Sequence, residues 1–141
     1  MSASTSLAAA VVFVWLGMVL AISFLETPLK FRAPGVTVQI GLGIGRLVFR
    51  ALNVVEVVLA SVLVVALLVG ASPTRVVVGV ALAVTCLVIQ VAIVRPLLGR
   101  RSDRVLAGEN PPRSRAHYWY VGLEVVKLIA LPITGVLLMN Q

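Results

Sequence analysis

The sequence predicts an all-α polytopic membrane protein, a four-transmembrane-helix bundle, and three observations carry that expectation. Hydrophobic residues fill 60% of the 141 positions and charged residues only 12%, about half the charged share of a soluble domain. Predominantly apolar stretches at 7–25, 50–69, 76–94 and 118–139 are each long enough to cross about 30 Å of hydrocarbon as a helix. The links between them are too short to hold a second core, so residues 1–141 read as a single transmembrane domain.

The first span, 7–25, carries no charge. Residues 1–6 lack a basic residue and no small-x-small site follows the apolar run, so a cleaved signal peptide is not expected. Gly17 and Ala21, four apart, are a candidate surface for close approach of another helix. Pro28 and Pro34 each remove a backbone donor and Gly35 permits a turn, which should end this helix. Glu26 and Lys30 pair only if helical geometry persists past Pro28.

Residues 36–50 contain Gly41, Gly43 and Gly45 ahead of Arg46. A phosphate-binding loop would need a preceding strand and a Gly-Lys-Ser/Thr ending, so this stretch reads as an interfacial helix or a lead-in to the second span. That span, 50–69, carries Asn53 and Glu56 three apart on one face. Gly70 and Pro73 make a tight turn. The third span, 76–94, is polar only at Thr85 and Gln90, and Arg95-Pro96 is expected to close it. A basic loop, 95–117, holds a short helix over 97–106 before Gly108, Pro111 and Pro112 force a turn. In the fourth span, 118–139, Pro132 should kink the helix and leave the carbonyl near Leu128 without its usual donor. The single Cys86 excludes an intrachain disulfide and a thiolate metal cluster, and reads as a buried structural thiol.

Basic residues divide unevenly between the two sides. Lys30, Arg32, Arg46 and Arg50 in the first link and Arg95, Arg100, Arg101, Arg104, Arg113 and Arg115 in the third face only Arg75 on the other side. The positive-inside rule puts both basic loops, 26–49 and 95–117, in the cytoplasm and both termini outside it, in the inner (plasma) membrane. The net charge of +7 is therefore a topology signal, with membrane lipids rather than nucleic acid as the expected partner.

Chemistry concentrates in the fourth span. His117, Tyr120, Glu124 and Lys127 recur at i, i+3, i+7 and i+10 and share one face. A Lys or Glu near the bilayer centre costs about 2.5 to 3.5 kcal/mol on insertion scales, so that face must meet protein. At about 1.5 Å per residue, Glu56 lies about 9 Å inside Arg50, Gln90 about 7 Å inside Arg95, and Glu124 and Lys127 about 10 and 15 Å inside His117. With Glu26 at the cytoplasmic end of span one, every helix offers a polar group in the same half of the bilayer. Helix bundles build their sites from such convergent side chains.

The candidate catalytic residues are accordingly Glu56, Glu124 and Lys127, and the candidate substrate-binding residues are Glu26, Asn53, Gln90, His117 and Tyr120. Three carboxylates against Lys127 and His117 leave a surplus carboxyl able to carry a proton, as a general acid or a proton carrier would. Taken singly, Gln90 and Asn53 also fit a helix-bridging role, and His117, beside Tyr118 and Trp119, fits an interfacial belt. A metal would need His117 with two carboxylates, and no Glu-x-x-His spacing accompanies it, so neither metal nor cofactor is expected.

Short patterns resemble those of a family of small four-helix bacterial integral membrane proteins: Trp15-Leu16-Gly17, Pro28 followed by Lys30-Phe31, the run from Arg46 to Asn53, Arg95-Pro96, and His117 before span four. More remotely the chain resembles the four-helix portions of copper-resistance and haem-pathway membrane proteins, but a lone histidine departs from their sites. The resemblance implies the architecture and no activity.

The leading expectation is a protein that binds or transforms a lipophilic small molecule by acid–base chemistry of the isomerase, cyclase or epoxide-opening type. A non-catalytic accessory subunit of a larger membrane complex, with Gly79 and Ala83 as its small-residue face, is the alternative. A proton-coupled small transporter working as a homodimer through Glu56 ranks third, because its site would be expected nearer the midplane.

Overall fold

A computed structural model describes residues 1–111 and 115–141. Among these the chain is helical without strands, and four helices are long and apolar enough to span a membrane: α1 (Ala3–Lys30), α2 (Val38–Val69), α3 (Thr74–Leu106) and α4 (Arg115–Met139). Arg113 and Pro112, which entered the charge count and the expected turn, lie outside the described residues.

Side-chain caps set two of the starts. The Ser2 hydroxyl accepts the Thr5 N–H at 3.2 Å and the Thr37 hydroxyl accepts the Ile40 N–H at 3.2 Å, each satisfying a donor that the first helical turn leaves unpaired. Gly35 and Gly108 carry the two positive φ angles of the described chain, +80° and +89°, where a Cβ would be strained.

Three helix boundaries differ from those the sequence suggests, and proline chemistry explains two of them. A proline inside an α-helix removes one donor and drives its ring into the carbonyl four residues back. Here the turn ahead of each proline is widened to π geometry, over Leu20–Glu26 before Pro28 and over Gln90–Val94 before Pro96. The Thr27 hydroxyl also donates to the Ile22 carbonyl at 2.9 Å. Neither proline therefore ends its helix: α1 continues to Lys30, and α3 runs through Arg95-Pro96 to Leu106. Because helical geometry persists past Pro28, the Lys30 ammonium lies 3.6 Å from Glu26.

The third difference is α2, which begins at Val38, so residues 38–50 are a helical lead-in continuous with the second span, the second of the two readings the sequence allows, and not a separate interfacial helix. Gly41 and Gly45 lie on this helix where the end of α1 crosses it. A Cβ at Gly41 would enter the Phe31 ring, and one at Gly45 would meet Lys30 Nζ. Gly41 and Gly45 thus serve helix packing, while Gly43 between them faces open space. Pro132 lies inside α4, which runs without interruption to Met139.

Around the bundle the helices follow the order α2, α1, α4, α3, with extensive packing between each successive pair. α2 and α3, although joined by the short turn through Pro73, touch only sparsely and leave a seam. The larger core joins Val12 and Val19 to Leu63, Val80, Leu87 and Leu131, and a smaller one at the end of the bundle that carries the basic loops joins Val94, Ala116 and Tyr120. Outward-facing positions are apolar as well: Leu68 is 80% and Ile129 57% exposed. Apolar surface on both faces of the helices is the signature of a bundle whose solvent is lipid, so this is a multi-pass membrane protein.

Candidate functional site

Between the two apolar cores lies a polar layer. Its centre is Lys127, which is fully buried, as are Glu56 and Gln90, with Glu124 1% exposed. The Lys127 ammonium donates to Glu56 Oε2 at 2.5 Å and lies 2.6 Å from Glu124 Oε1, so one cation bridges α2 and α4. An uncompensated buried charge costs several kcal/mol, and close pairing with further hydrogen bonds is what offsets it.

Those further bonds come from the other two helices. The Trp15 indole N–H donates to Glu56 Oε2 at 2.9 Å. The Gln90 amide donates to Glu124 Oε1 at 2.8 Å and sits 3.3 Å from the Tyr120 carbonyl, while the Ser23 hydroxyl donates to Glu124 Oε2 at 2.6 Å. Ser23 and Gln90 both sit in the widened turns of α1 and α3. The same local geometry that carries each helix past its proline therefore supplies a donor to one carboxylate, in keeping with the placement of π-turns at functional positions.

The two carboxylates differ in what they face. Glu124 lines a cavity of about 390 Å³ at the end of the bundle where both basic loops meet, and Glu56 and Lys127 do not. Lys30, Arg46, Arg95 and Arg101 line it too, together with Ser23 and His117. The Arg95 guanidinium stacks over the Phe49 ring at 4.7 Å and the Tyr120 ring at 5.2 Å, a favourable cation–π geometry. Two carboxyls, Glu56 and Glu124, share one ammonium, and the carboxyl that faces the cavity is ringed by basic side chains.

Of the residues singled out from sequence, Glu56, Gln90, Glu124 and Lys127 form one connected network. Tyr120 joins through its carbonyl, and its ring packs edge-on to Phe49 with centroids 5.8 Å apart. His117 lines the cavity but is exposed, with its ring against Tyr118 at 5.9 Å. Glu26 engages Lys30, one turn beyond the layer. Asn53 is buried on the α2–α3 seam, where its Oδ1 has no hydrogen-bond partner. The expected single hollow shared by all four helices is thus a sealed network with one carboxylate opening onto a cavity.

Trp15 and Ser23 were not singled out as site residues. A mid-span indole was a usable signal for Trp15, since a buried Trp N–H needs an acceptor; a lone span serine gives none. The small-residue surfaces also fall otherwise than expected. Ala83 is fully buried and a Cβ at Gly79 would run into the Thr134 hydroxyl, so that face packs against α4. Gly17 and Ala21 are exposed, and nothing lies within 4 Å of where a Gly17 Cβ would be. Comparison with family models, curated proteins and solved structures gave no match, so the functional reading rests on this geometry.

Proposed function

We propose that the protein binds a lipophilic small molecule with a polar end in the cavity at the inner-leaflet side, and that Glu124 is the group that exchanges a proton with it. The observation that carries this reading is that Glu124 lines the cavity while three donors, from α1, α3 and α4, hold its carboxylate in place. A carboxyl fixed in that manner is positioned for general acid–base chemistry, geometry being the first requirement. Lys127 and Glu56 then act as positioning residues, setting the orientation and charge of Glu124 from behind. His117, Tyr120 and Arg95 would contact the bound molecule. Isomerisation, cyclisation or epoxide opening are the reaction classes that suit a carboxyl acting with these groups.

In this reading the protein sits in the plasma membrane with its basic loops in the cytoplasm and both termini outside. An assembly role for the polar layer is favoured for Glu56 alone, whose partners Trp15 and Lys127 are themselves buried helix-bridging groups.

The test is mass spectrometry of small molecules retained by the purified full chain in mild detergent, for wild type and Glu124→Gln. The expected result is a discrete non-bulk-lipid species that the variant loses or accumulates while remaining monodisperse. Identical extracts from both proteins, containing bulk lipid alone, would refute the proposal.

A further inference from the structure

Among the described residues, the α2–α3 seam is the least closely packed contact between neighbouring helices, although its helices are joined by the short turn through Pro73. Two hollows occupy it, of about 530 and 510 Å³, and they share Val57 and Val91, so they form one continuous trough. Its composition is graded by depth. At the cytoplasmic end stand Arg46, Arg50 and Arg95 with Asn53 and Ser102; below them the walls are Val54, Val58, Val64, Val65 and Val88. The Ser61 hydroxyl in the lower part donates to the Val57 carbonyl of its own helix at 2.8 Å, which leaves that part apolar in character.

The upper end holds unmet polar capacity. Among the described residues, nothing hydrogen-bonds to the buried Arg95 Nη2 or Asn53 Oδ1. Arg46 is paired with Asp103 at 2.6 Å, whereas among the described residues no ion pair engages Arg50, which is exposed. From Arg50 to Val65 the trough runs about 22 Å at about 1.5 Å per residue, enough to cover one leaflet of a hydrocarbon core about 30 Å thick.

We infer that this seam is a binding site for one anionic phospholipid, its phosphate held among Arg46, Arg50 and Arg95 and an acyl chain lying along the valine wall between α2 and α3. Charge decides between this occupant and a second copy of the chain. A parallel two-fold dimer through the seam would set three guanidiniums against the same three, a like-charge contact, whereas a phosphate diester supplies the missing anion and accepts from Arg95 Nη2. The inference does not depend on chemistry at Glu124. Arg46 and Arg95 stand between the two sites and line both, whereas Arg50 and Val58 line the seam and not the internal cavity, so variants at Arg50 and Val58 separate them.

The experiment is native mass spectrometry of the full chain titrated with phosphatidylglycerol or with phosphatidylcholine of the same chain length. One phosphatidylglycerol is expected to bind at least tenfold more tightly than phosphatidylcholine. Arg50→Gln should reduce that preference about fivefold, the effect of about one basic side chain at a lipid surface. Val58→Trp, at a position 55% exposed where folding is not at stake, should fill the trough and abolish the tightly bound lipid for both headgroups. Glu124→Gln should leave the preference unchanged whatever it does to small-molecule retention. Equal affinity for the two lipids, unchanged binding in both seam variants, or a dimer that excludes lipid would each overturn the inference.

Discussion

Replacing Lys127 by methionine keeps the length and apolar stem of the side chain and removes only the ammonium. Glu56 loses the donor 2.5 Å from its Oε2, and Glu124 loses the one 2.6 Å from its Oε1. Glu56 is fully buried and cannot turn to solvent, and Glu124, 1% exposed, reaches only the cavity it lines. Removing one member of a buried ion pair generally costs about 3 to 5 kcal/mol, because the remaining charge is stranded. Glu124 retains Ser23 and Gln90, and Glu56 retains only Trp15, so most of the loss should fall on Glu56. Adding Glu56→Gln to Lys127→Met removes the stranded charge, leaves the amide oxygen to accept from Trp15, and should recover about 2 kcal/mol, within the range of coupling between contacting residues. Unfolding of the four proteins of this cycle by titration with a denaturing detergent measures the coupling. If the double variant loses the sum of the two single losses to within about 0.5 kcal/mol, the ammonium and the Glu56 carboxylate do not act as a pair and the account of the layer fails.

Three further outcomes follow from the same geometry. Trp15→Phe keeps an aromatic ring but removes the indole donor to Glu56, and should cost about 1.5 to 3 kcal/mol in the same unfolding assay, as a lost hydrogen bond to a charged group does. Gly79→Val drives a methyl into the Thr134 hydroxyl and should cost about 1 to 3 kcal/mol. Gly17→Val, which meets open space, should change stability by no more than about 0.5 kcal/mol; equal effects at the two glycines would contradict the packing of α3 on α4. In a Cys86→Ser background, Arg101→Cys should react with an impermeant maleimide only from the cytoplasmic face and Ala71→Cys only from the opposite face, and the reverse pattern would invert the proposed topology.

The number of spans and the residues at the heart of the layer are legible from sequence for a simple reason. Apolar runs of this length have one stable solvent, and Glu56, Glu124 and Lys127 are too costly to leave in it unpaired. What misleads is local. Pro28 and Pro96 look like stops because helix-ending is the usual consequence of a lost donor, and nothing in composition announces that the preceding turn has widened. Asn53 follows the same logic at smaller scale: at i, i+3 it is about 60° around the helix from Glu56, enough for Glu56 to face the layer and Asn53 the seam. Glu26 and His117 fail to join the network because both lie at the basic end of the bundle, a turn or more from the level of Lys127.

The widened turns also govern how these helices tolerate insertion and deletion. Each inserts extra residues without adding a full turn, so the stretches before and after it are out of phase on a helical wheel. A single wheel drawn over Ala3–Lys30 therefore smears the buried stripe. Deleting one residue within Leu20–Glu26 would restore ordinary winding while leaving the segment beyond it in nearly its present orientation. Pro28 would then meet a carbonyl it now avoids, and the Ser23 donor to Glu124 would be displaced. Related chains should accordingly gain or lose residues in the connecting turns and keep the count between Trp15 and Pro28 fixed.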